Sequence, residues 1–415
     1  MRPHRGPAIA LALAAALASW SAAAAGPAAL AMLPGRSAPS LQAADQAQAV
    51  QVRTDVFAAA PDRLHLQLPG GEVWAYTRAL ERHTDQRFSW HGSLDADGQQ
   101  PIVISVAGDS VAGFLSMPDG MWEIVPGASA REAWLIKLED QRLPGCAGAV
   151  TDEGGAEAPA EFSPAEAAGV VDGGEQIDVL LFYTAAAQTA AGSANAIRAQ
   201  AQAAVDAANT AFANSAMRMR FRAVGIELLE GWEETADSGG AELSRFRSNT
   251  TALARRDATR ADMVSLMVAN LAGGCGIGYV MRSVGAGFAG SAFQITDRDC
   301  AVGNLSWAHE HGHNMGFEHD PANGATPATA SRPWSFGHYV EGQGSQSFRT
   351  VMSYACPAGG CTRRAYFSNP LVTFNGFATG VADQRDNART GDEVADVVAN
   401  FRLALRDFSD GFESR

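Results

Sequence analysis

Three histidines and a glutamate in the C-terminal part of the chain have a spacing that could hold a metal ion. Residues 307–320 read WAHEHGHNMGFEHD, with His309 and His313 four residues apart on a predicted helix. Side chains four residues apart lie one turn apart on the same helix face, so both imidazoles can reach one ion. Glu310 adjoins the first histidine and can hold a water molecule as its general base.

A glycine after the second histidine can bring a third ligand to the same ion. Gly316 can adopt a left-handed conformation, end the helix and reverse the chain, which returns His319 towards the other two histidines. Three histidines leave one tetrahedral position open for water, as a catalytic zinc site requires. His311 lies off this face and is expected to be exposed or behind the ligands. The alternative is a solvated, histidine-rich helix end, although only 9 of 415 residues are histidine.

The motif H-E-x-x-H-x-x-G-x-x-H over His309–His319 resembles that of the metzincin metallopeptidases. The resemblance implies a Met-turn beneath the metal, and Thr350–Tyr354 (TVMSY) supplies one, with Met352 as its apolar floor. By itself, a methionine in such a stretch would more often belong to the core. Tyr354 is similar to the Met-turn tyrosine of two metzincin groups, the astacins and serralysins, and this similarity implies that it contacts zinc or stabilises the transition state. In this it departs from the pattern of a third group, the reprolysins.

Further residues narrow the resemblance to the reprolysin-like (adamalysin) branch, beginning with Asp320 directly after the third histidine. The chain resembles bacterial reprolysin-like enzymes, among them peptidyl-Asp metalloendopeptidases, at Phe367–Pro370 (FSNP), Gly376, Gly380 and Asn387–Arg389. The likeness covers about residues 177–405. It implies an α/β (α+β) catalytic domain with a mixed, twisted sheet, a zinc-binding active-site helix and one catalytic Zn²⁺. Structural Ca²⁺ is compatible with the resemblance, but no loop has the necessary ligand spacing.

The N-terminus has the pattern of a cleavable export signal. Arg2 and Arg5 precede the apolar run Ala8–Leu17, and the small residues 21–26 offer an Ala-x-Ala cleavage site. The alternative is a buried helix or a membrane anchor, but the run is short for a span and no later stretch is long enough. We therefore expect a signal peptide over 1–25 and a secreted protein, extracellular or periplasmic, without a membrane anchor.

The next segments differ in composition. Residues 26–50 are rich in Ala, Gln, Pro and Ser and are predicted to be poorly ordered. Regularly spaced β-favouring runs then predict a small, mainly antiparallel β domain: Arg63–Leu68, Val73–Thr77, Arg87–Trp90, Ile102–Val106 and Ala133–Leu138. Residues 147–175 are acidic and nearly free of large apolar side chains, which predicts a flexible, cleavable linker. The expected organisation is an inhibitory prodomain over 26–146, the linker, a catalytic domain over 176–405 and a disordered tail over 406–415.

Strand and helix patterns alternate beyond the linker, which is typical of an α/β domain. The predicted strands are Ile177–Thr184, Arg218–Leu229, Asp262–Val268 and Gly276–Met281. The predicted helices are Ser193–Met217, Ala241–Arg256, Asn304–Met315 and Asn387–Arg406. An extended substrate would add as a strand to a sheet edge within residues 275–295.

Five cysteines leave at least one without an intramolecular partner. Cys356–Cys361 would close a short loop past the Met-turn, and Cys275–Cys300 could bridge the segment before the zinc helix, although four cysteines allow three connectivities. The odd residue is Cys146, just before the linker. Its thiolate could take the open zinc position, which resembles the cysteine switch of metzincin propeptides. The alternative is a free or intermolecularly paired thiol.

The net charge of −14 disfavours nucleic acid and anionic membranes as partners, since both need a basic surface. The sequence predicts a monomeric, secreted zinc endopeptidase made as a latent precursor, acting on proteins or peptides and inhibited by its own prodomain. The alternatives are a zinc-stabilised adhesin without catalysis and a metal hydrolase acting on a non-peptide bond. A preference for aspartate would need a cationic subsite, for which we consider Arg332, Arg349, Arg363 and Arg364.

Overall fold

The computed structural model describes residues 28–36, 44–139, 142–151, 172–237 and 239–403. The predicted signal peptide, most of the predicted linker and the C-terminal tail lie outside these ranges. Within them the chain forms a β barrel, followed by a mixed α/β domain that carries the histidine motif. None of the described helices is long and apolar enough to cross a membrane.

The N-terminal part is a closed barrel of nine strands in the order β1-β2-β9-β8-β7-β6-β5-β4-β3. Neighbours pair antiparallel, except that β1 and β3 pair in parallel and close the ring. An apolar cluster that includes Trp90 and Trp122 fills the barrel. The elements are β1 Leu30–Met32, β2 Ala44–Val52, helix α1 Thr54–Ala59, β3 Arg63–Leu68, β4 Gly71–Thr84, β5 Arg87–Ser93, β6 Pro101–Ala107, β7 Ser110–Met117, β8 Gly120–Pro126 and β9 Glu132–Leu138.

Several features of the barrel differ from the sequence prediction, among them β1 and α1, which were not predicted. Residues 44–50 are part of β2 rather than poorly ordered. A Gln- and Ala-rich run does not favour a strand by itself, but pairing with β1 and β9 supplies the hydrogen bonds that stabilise one. Strands β7 and β8 were not predicted. Most of their side chains are buried, so they lack the alternation of a strand with one solvated face.

The second part contains a six-stranded mixed sheet in the order β10-β14-β15-β13-β11-β12. All neighbours pair in parallel except β14 and β15, which are antiparallel. The strands are β10 Ala149–Thr151, β11 Gln176–Tyr183, β12 Arg220–Leu228, β13 Met263–Val268, β14 Gly276–Val280 and β15 Phe293–Asp297. The helices are α2 Ala185–Ala191, α3 Ala194–Asn214, α4 Gly239–Arg247, α5 Thr250–Thr259, α6 Ser306–Asn314 and α7 Asn387–Val398. Short strands follow α6 at Tyr339–Val340, Phe348–Arg349, Thr362–Arg363, Thr373–Phe374 and Phe377–Ala378, and 3-10 turns occur at Ala286–Ser291 and Gly344–Gln346.

The predicted mixed α/β sheet is confirmed, with local differences: α2 was not predicted, and the helix predicted over Asn387–Arg406 ends at Val398. The helix predicted over Ala241–Arg256 is two helices, because the Asn249 side chain accepts a hydrogen bond from the Ala252 amide and caps α5. Strand β15 was not predicted. It lies buried between β13 and β14 and positions β14 beside the histidine helix.

Helix α3 lies between the sheet and the barrel, which explains its many buried alanines. Its Asp206 carboxylate is buried against the barrel, where it accepts hydrogen bonds from the Ser89 and Ser105 hydroxyls, the latter at 2.6 Å. Gln202 donates to the other carboxylate oxygen at 2.9 Å. These hydrogen bonds form a polar cluster that fixes the position of the barrel on α3.

Asp206→Ala is expected to lower the free energy of unfolding of the full chain by about 1–3 kcal/mol, because two buried hydroxyls lose their acceptor. Urea unfolding measures the change. The control is Thr189→Ala at an exposed position of α2, where the lost hydrogen bond is local. Equal midpoints for Asp206→Ala and the parent chain would contradict the role assigned to this cluster.

Candidate active site

Helix α6 and the turn after it carry the histidine motif. The helix ends at Asn314, and Gly316 has φ +82°, the left-handed conformation expected from the sequence. A Cβ atom at Gly316 would lie 2.8 Å from the Met281 carbonyl oxygen, so the turn needs glycine for space as well as for conformation. The reversed chain brings His319 back against the helix.

The three imidazoles of His309, His313 and His319 converge on one point. The His319 Nε2 atom lies 3.1 Å from Nε2 of His309 and 3.0 Å from Nε2 of His313. Each Nδ1 atom lies within hydrogen-bond distance of a backbone carbonyl oxygen, in motif order those of Val351 (2.9 Å), Phe317 (2.7 Å) and Asn323 (3.1 Å). Each ring therefore carries its proton on Nδ1 and turns the Nε2 lone pair inward, an arrangement that a cation satisfies.

Burial keeps these rings neutral, the state in which imidazole binds a metal. It lowers the pKa of His309 well below its usual value, that of His313 to about 4 and that of His319 to about 3. The side chains thus fit a metal ion in geometry and in protonation.

Cys146 supplies a fourth ligand atom at the same place. Its Sγ and the ligand nitrogens of the three histidines all lie within 4.8 Å of one another. The Gly148 amide donates to Sγ at 3.3 Å, and the Tyr354 hydroxyl donates to the Cys146 carbonyl oxygen at 3.3 Å. The described side chains therefore offer three nitrogen ligands and one sulfur ligand.

The chain around Cys146 lies along the edge of the sheet. The Cys275 amide donates to the Gly145 carbonyl, and the Ala147 amide donates to the Gly276 carbonyl, both at 2.8 Å. Residues 149–151 then pair in parallel with β14. The prediction of a flexible linker over 147–175 is wrong for its first residues, because pairing with β14 orders residues 149–151. At its other end, Asp172 exchanges hydrogen bonds with the Asn400 side chain.

Glu310 is fully buried beside Cys146, and among the described residues neither of its carboxylate oxygens has a partner within hydrogen-bond geometry. Burial raises the pKa of this carboxyl to about 8. Strand β14 leaves space for it with a glycine, since a Cβ atom at Gly276 would lie 2.6 Å from Glu310 Cγ and Oε1. A carboxyl with a raised pKa is the stronger base, so in its ionised form Glu310 can accept a proton from a small ligand such as water beside the metal-ligand cluster.

Comparison with known proteins agrees with this geometry. The model of metallo-peptidase family M12 named Reprolysin_5 matches residues 174–368. A protein of Xanthomonas campestris pv. campestris named peptidyl-Asp metalloendopeptidase is 30% identical over 389 residues, covering 86% of this chain and 86% of that protein. This chain belongs to metallo-peptidase family M12. It is a metalloendopeptidase of the reprolysin-like kind, and its histidine cluster is a metal site. Two Stenotrophomonas maltophilia proteins of the same name are 28% and 27% identical, each covering 85% of this chain and 86% of the relative.

The predicted Met-turn lies beneath the metal site of the peptidase. Met352 is fully buried, and a Cβ atom at Gly312 on α6 would lie 2.6 Å from its sulfur. Asp320 accepts a hydrogen bond from the Tyr354 amide at 3.1 Å, and the Tyr354 ring lies 4.2 Å from that of His319. Asp320 thus links the Met-turn to the turn that carries the third histidine.

Four of the five cysteines pair as preferred from the sequence. Cys275–Cys300 joins the start of β14 to the loop before α6, Cys356–Cys361 closes the loop after the Met-turn, and Cys146 is free. His311 is buried, so the expectation that it could be exposed is wrong. Its ring packs 4.3 Å from that of Trp307.

Sequence reasoning missed the glycines that make room for the site. Gly276 accommodates Glu310, and Gly312 accommodates Met352. A glycine inside a strand can mark the close approach of another group, so the G-x-G pattern of β14 contained a signal for the first. The second depends on the packing of distant segments and has no local signal.

Gly276→Ala is expected to lower kcat about 10- to 100-fold, because the new methyl group must displace the Glu310 carboxylate. Steady-state hydrolysis of a peptide by enzyme freed of the predicted prodomain measures this, with metal content determined in parallel. Gly240→Ala is the matched control, since a Cβ atom there meets nothing within 4 Å. Unchanged kcat in Gly276→Ala would contradict the assigned position of the carboxylate.

Proposed function

We propose that this peptidase is a secreted, zinc-dependent endopeptidase made as a latent precursor, in which Cys146 occupies the fourth zinc position until activation. The supporting observation is the convergence of three neutral imidazoles and one thiol within 4.8 Å. Three nitrogens and one sulfur are a ligand set that tetrahedral zinc prefers. Removing the sulfur leaves the three-histidine set of a catalytic site.

The chain's own residues then divide the catalytic work. Zinc would supply Lewis-acid chemistry, polarising the scissile carbonyl and lowering the pKa of water. Glu310 holds the attacking water, accepts its proton and delivers it to the leaving amine. Tyr354 loses its partner when Cys146 leaves, so its hydroxyl becomes available to donate to the developing oxyanion. The backbone carbonyls at the three Nδ1 atoms hold the imidazoles in place throughout.

The same proposal explains how the precursor would exclude substrate. Residues 147–151 occupy the hydrogen-bonding edge of β14, which lies within the range expected to bind an extended substrate. A substrate strand needs those same backbone groups, so it competes with the propeptide. Activation would require a cut in the linker, removal of the signal peptide 1–25 and release of a prodomain over 26–146 from the catalytic domain over 176–405. The processed enzyme acts as a monomer in this proposal.

The relatives suggest the substrate class. Several are named peptidyl-Asp metalloendopeptidase. We extend that preference to this enzyme, which would cleave proteins at bonds next to aspartate.

The test is mass-spectrometric profiling of the cuts that processed enzyme makes in casein, with and without a zinc chelator. We expect cuts enriched at aspartate, abolished by the chelator and restored by added Zn²⁺, with one zinc ion per chain by elemental analysis. Cleavage that continues in the chelator would refute the proposal. So would a processed, zinc-loaded enzyme that cuts no protein.

A further inference from the structure

A cavity of about 270 Å³ opens beside the metal site, between the Met-turn and propeptide residues 143–145. Tyr354 forms part of its wall, and the ring of this residue lies against that of His319. Gly145 directly precedes Cys146, whose sulfur lies at the metal site. A substrate residue that takes the place of 143–145 would therefore stand next to the bond that is cut.

Two buried arginines line this cavity. Arg349 is 4% exposed and Arg363 is 5% exposed. Arg349 donates to the Ser353 carbonyl oxygen at 2.8 Å, and Arg363 donates to the Asn304 carbonyl at 2.8 Å and to that of Ser353 at 3.4 Å. These contacts join both guanidinium groups to the Met-turn, so their positions relative to the metal site are fixed.

The other two arginines considered from the sequence lie elsewhere. Arg364 donates to the Ser116 hydroxyl at 3.1 Å and to the Met117 carbonyl at 2.8 Å, both in the barrel. Arg332 pairs with Glu393 at 2.7 Å. Of the four, Arg349 and Arg363 are the pair that faces the cavity.

We propose that Arg363, with Arg349 beside it, forms the subsite that binds an acidic substrate side chain next to the scissile bond. This inference rests on the proposed peptidase function of the metal site. A guanidinium matches a carboxylate with two parallel hydrogen bonds, which an amide of the same shape cannot accept. The buried setting strengthens the ionic interaction, and the small cavity suits the short side chain of aspartate.

The test compares peptides that differ only by Asp or Asn beside the cleaved bond, with processed enzyme. Arg363→Gln is expected to lower kcat/KM for the Asp peptide about 100-fold, the cost of truncating one partner of a buried ion pair. The Asn peptide should change less than about threefold, because it makes no such pair. The ratio of kcat/KM for the Asp peptide to kcat/KM for the Asn peptide (the Asp/Asn ratio) is therefore expected to fall. Arg363→Lys should restore part of the ratio, because lysine keeps the positive charge but cannot form the two parallel hydrogen bonds of a guanidinium.

Arg364→Gln is the matched control, because this neighbouring buried arginine contacts the barrel instead, and it should preserve the ratio. An Asp/Asn ratio that persists in Arg363→Gln would overturn the subsite. An equal loss on both peptides would also overturn it, because it indicates a purely structural role. Chelator-sensitive cleavage of casein by the parent enzyme would leave the proposed function standing in either case. If the parent enzyme cuts neither peptide nor casein, the proposed function itself fails.

Discussion

Glu310→Gln is expected to lower kcat for peptide hydrolysis about 10³-fold while zinc stays bound, within the range that a general base contributes. Glutamine has the same shape as glutamate, so it fits the space beside Gly276 without moving α6. It cannot accept the proton of the attacking water. The carboxylate of Asp320, which follows the third histidine, is a poor substitute, because its oxygens already accept hydrogen bonds from Asn323 and from the Tyr354 amide.

The experiment uses processed enzyme, a fluorogenic peptide and elemental analysis of zinc. Glu230→Gln is the control, since Glu230 is exposed at the end of β12 and distant in sequence from the motif. An equal kcat in Glu310→Gln and the parent enzyme would contradict the mechanism. It would remove the assigned general base and leave the three histidines as a stabilising metal site, as in the adhesin alternative.

The histidine motif was predictable because its geometry is local. A four-residue spacing on a helix and a glycine that turns the chain depend on backbone rules that operate over a few residues. Gly316 adopts the conformation expected from the sequence, and the three Nε2 atoms converge as a result. The matching elements of the α/β domain, such as the strand over Gln176–Tyr183, were predicted for the same reason.

What could not be predicted depends on contacts between segments distant in the chain. Strand β2 is formed by pairing with β1 and β9, and no local propensity indicates it. His311 is buried because Trp307 and Phe221 pack around it. Residues 149–151 are ordered by pairing with β14, a strand more than 100 residues further along the chain, and the sequence does not reveal this contact. The division of four similar arginines into two cavity residues and two others likewise required the fold.

Cys146→Ser is expected to produce a precursor that hydrolyses a small peptide before the linker is cut. The Cys146 sulfur reaches the three imidazoles, and a serine hydroxyl is a much weaker zinc ligand than a thiolate. A tethered thiolate on the zinc would exclude water through its high effective concentration, so losing it should raise the precursor's rate at least ~10-fold. The rate should stay below that of the processed enzyme, since residues 149–151 still cover β14.

Self-cleavage would confuse this measurement, so the precursor's integrity is followed by gel throughout the assay. Cys146→Ser combined with Glu310→Gln provides an intact, inactive reference. Ser129→Ala changes an exposed residue of the barrel and should leave the precursor unable to hydrolyse the peptide. In the parent precursor, zinc should protect the Cys146 thiol from alkylation, and a chelator should remove that protection. A silent Cys146→Ser precursor, together with a thiol that alkylates equally fast with and without chelator, would exclude zinc ligation. Latency would then rest on edge pairing alone, because residues 147–151 would still deny β14 to a substrate strand.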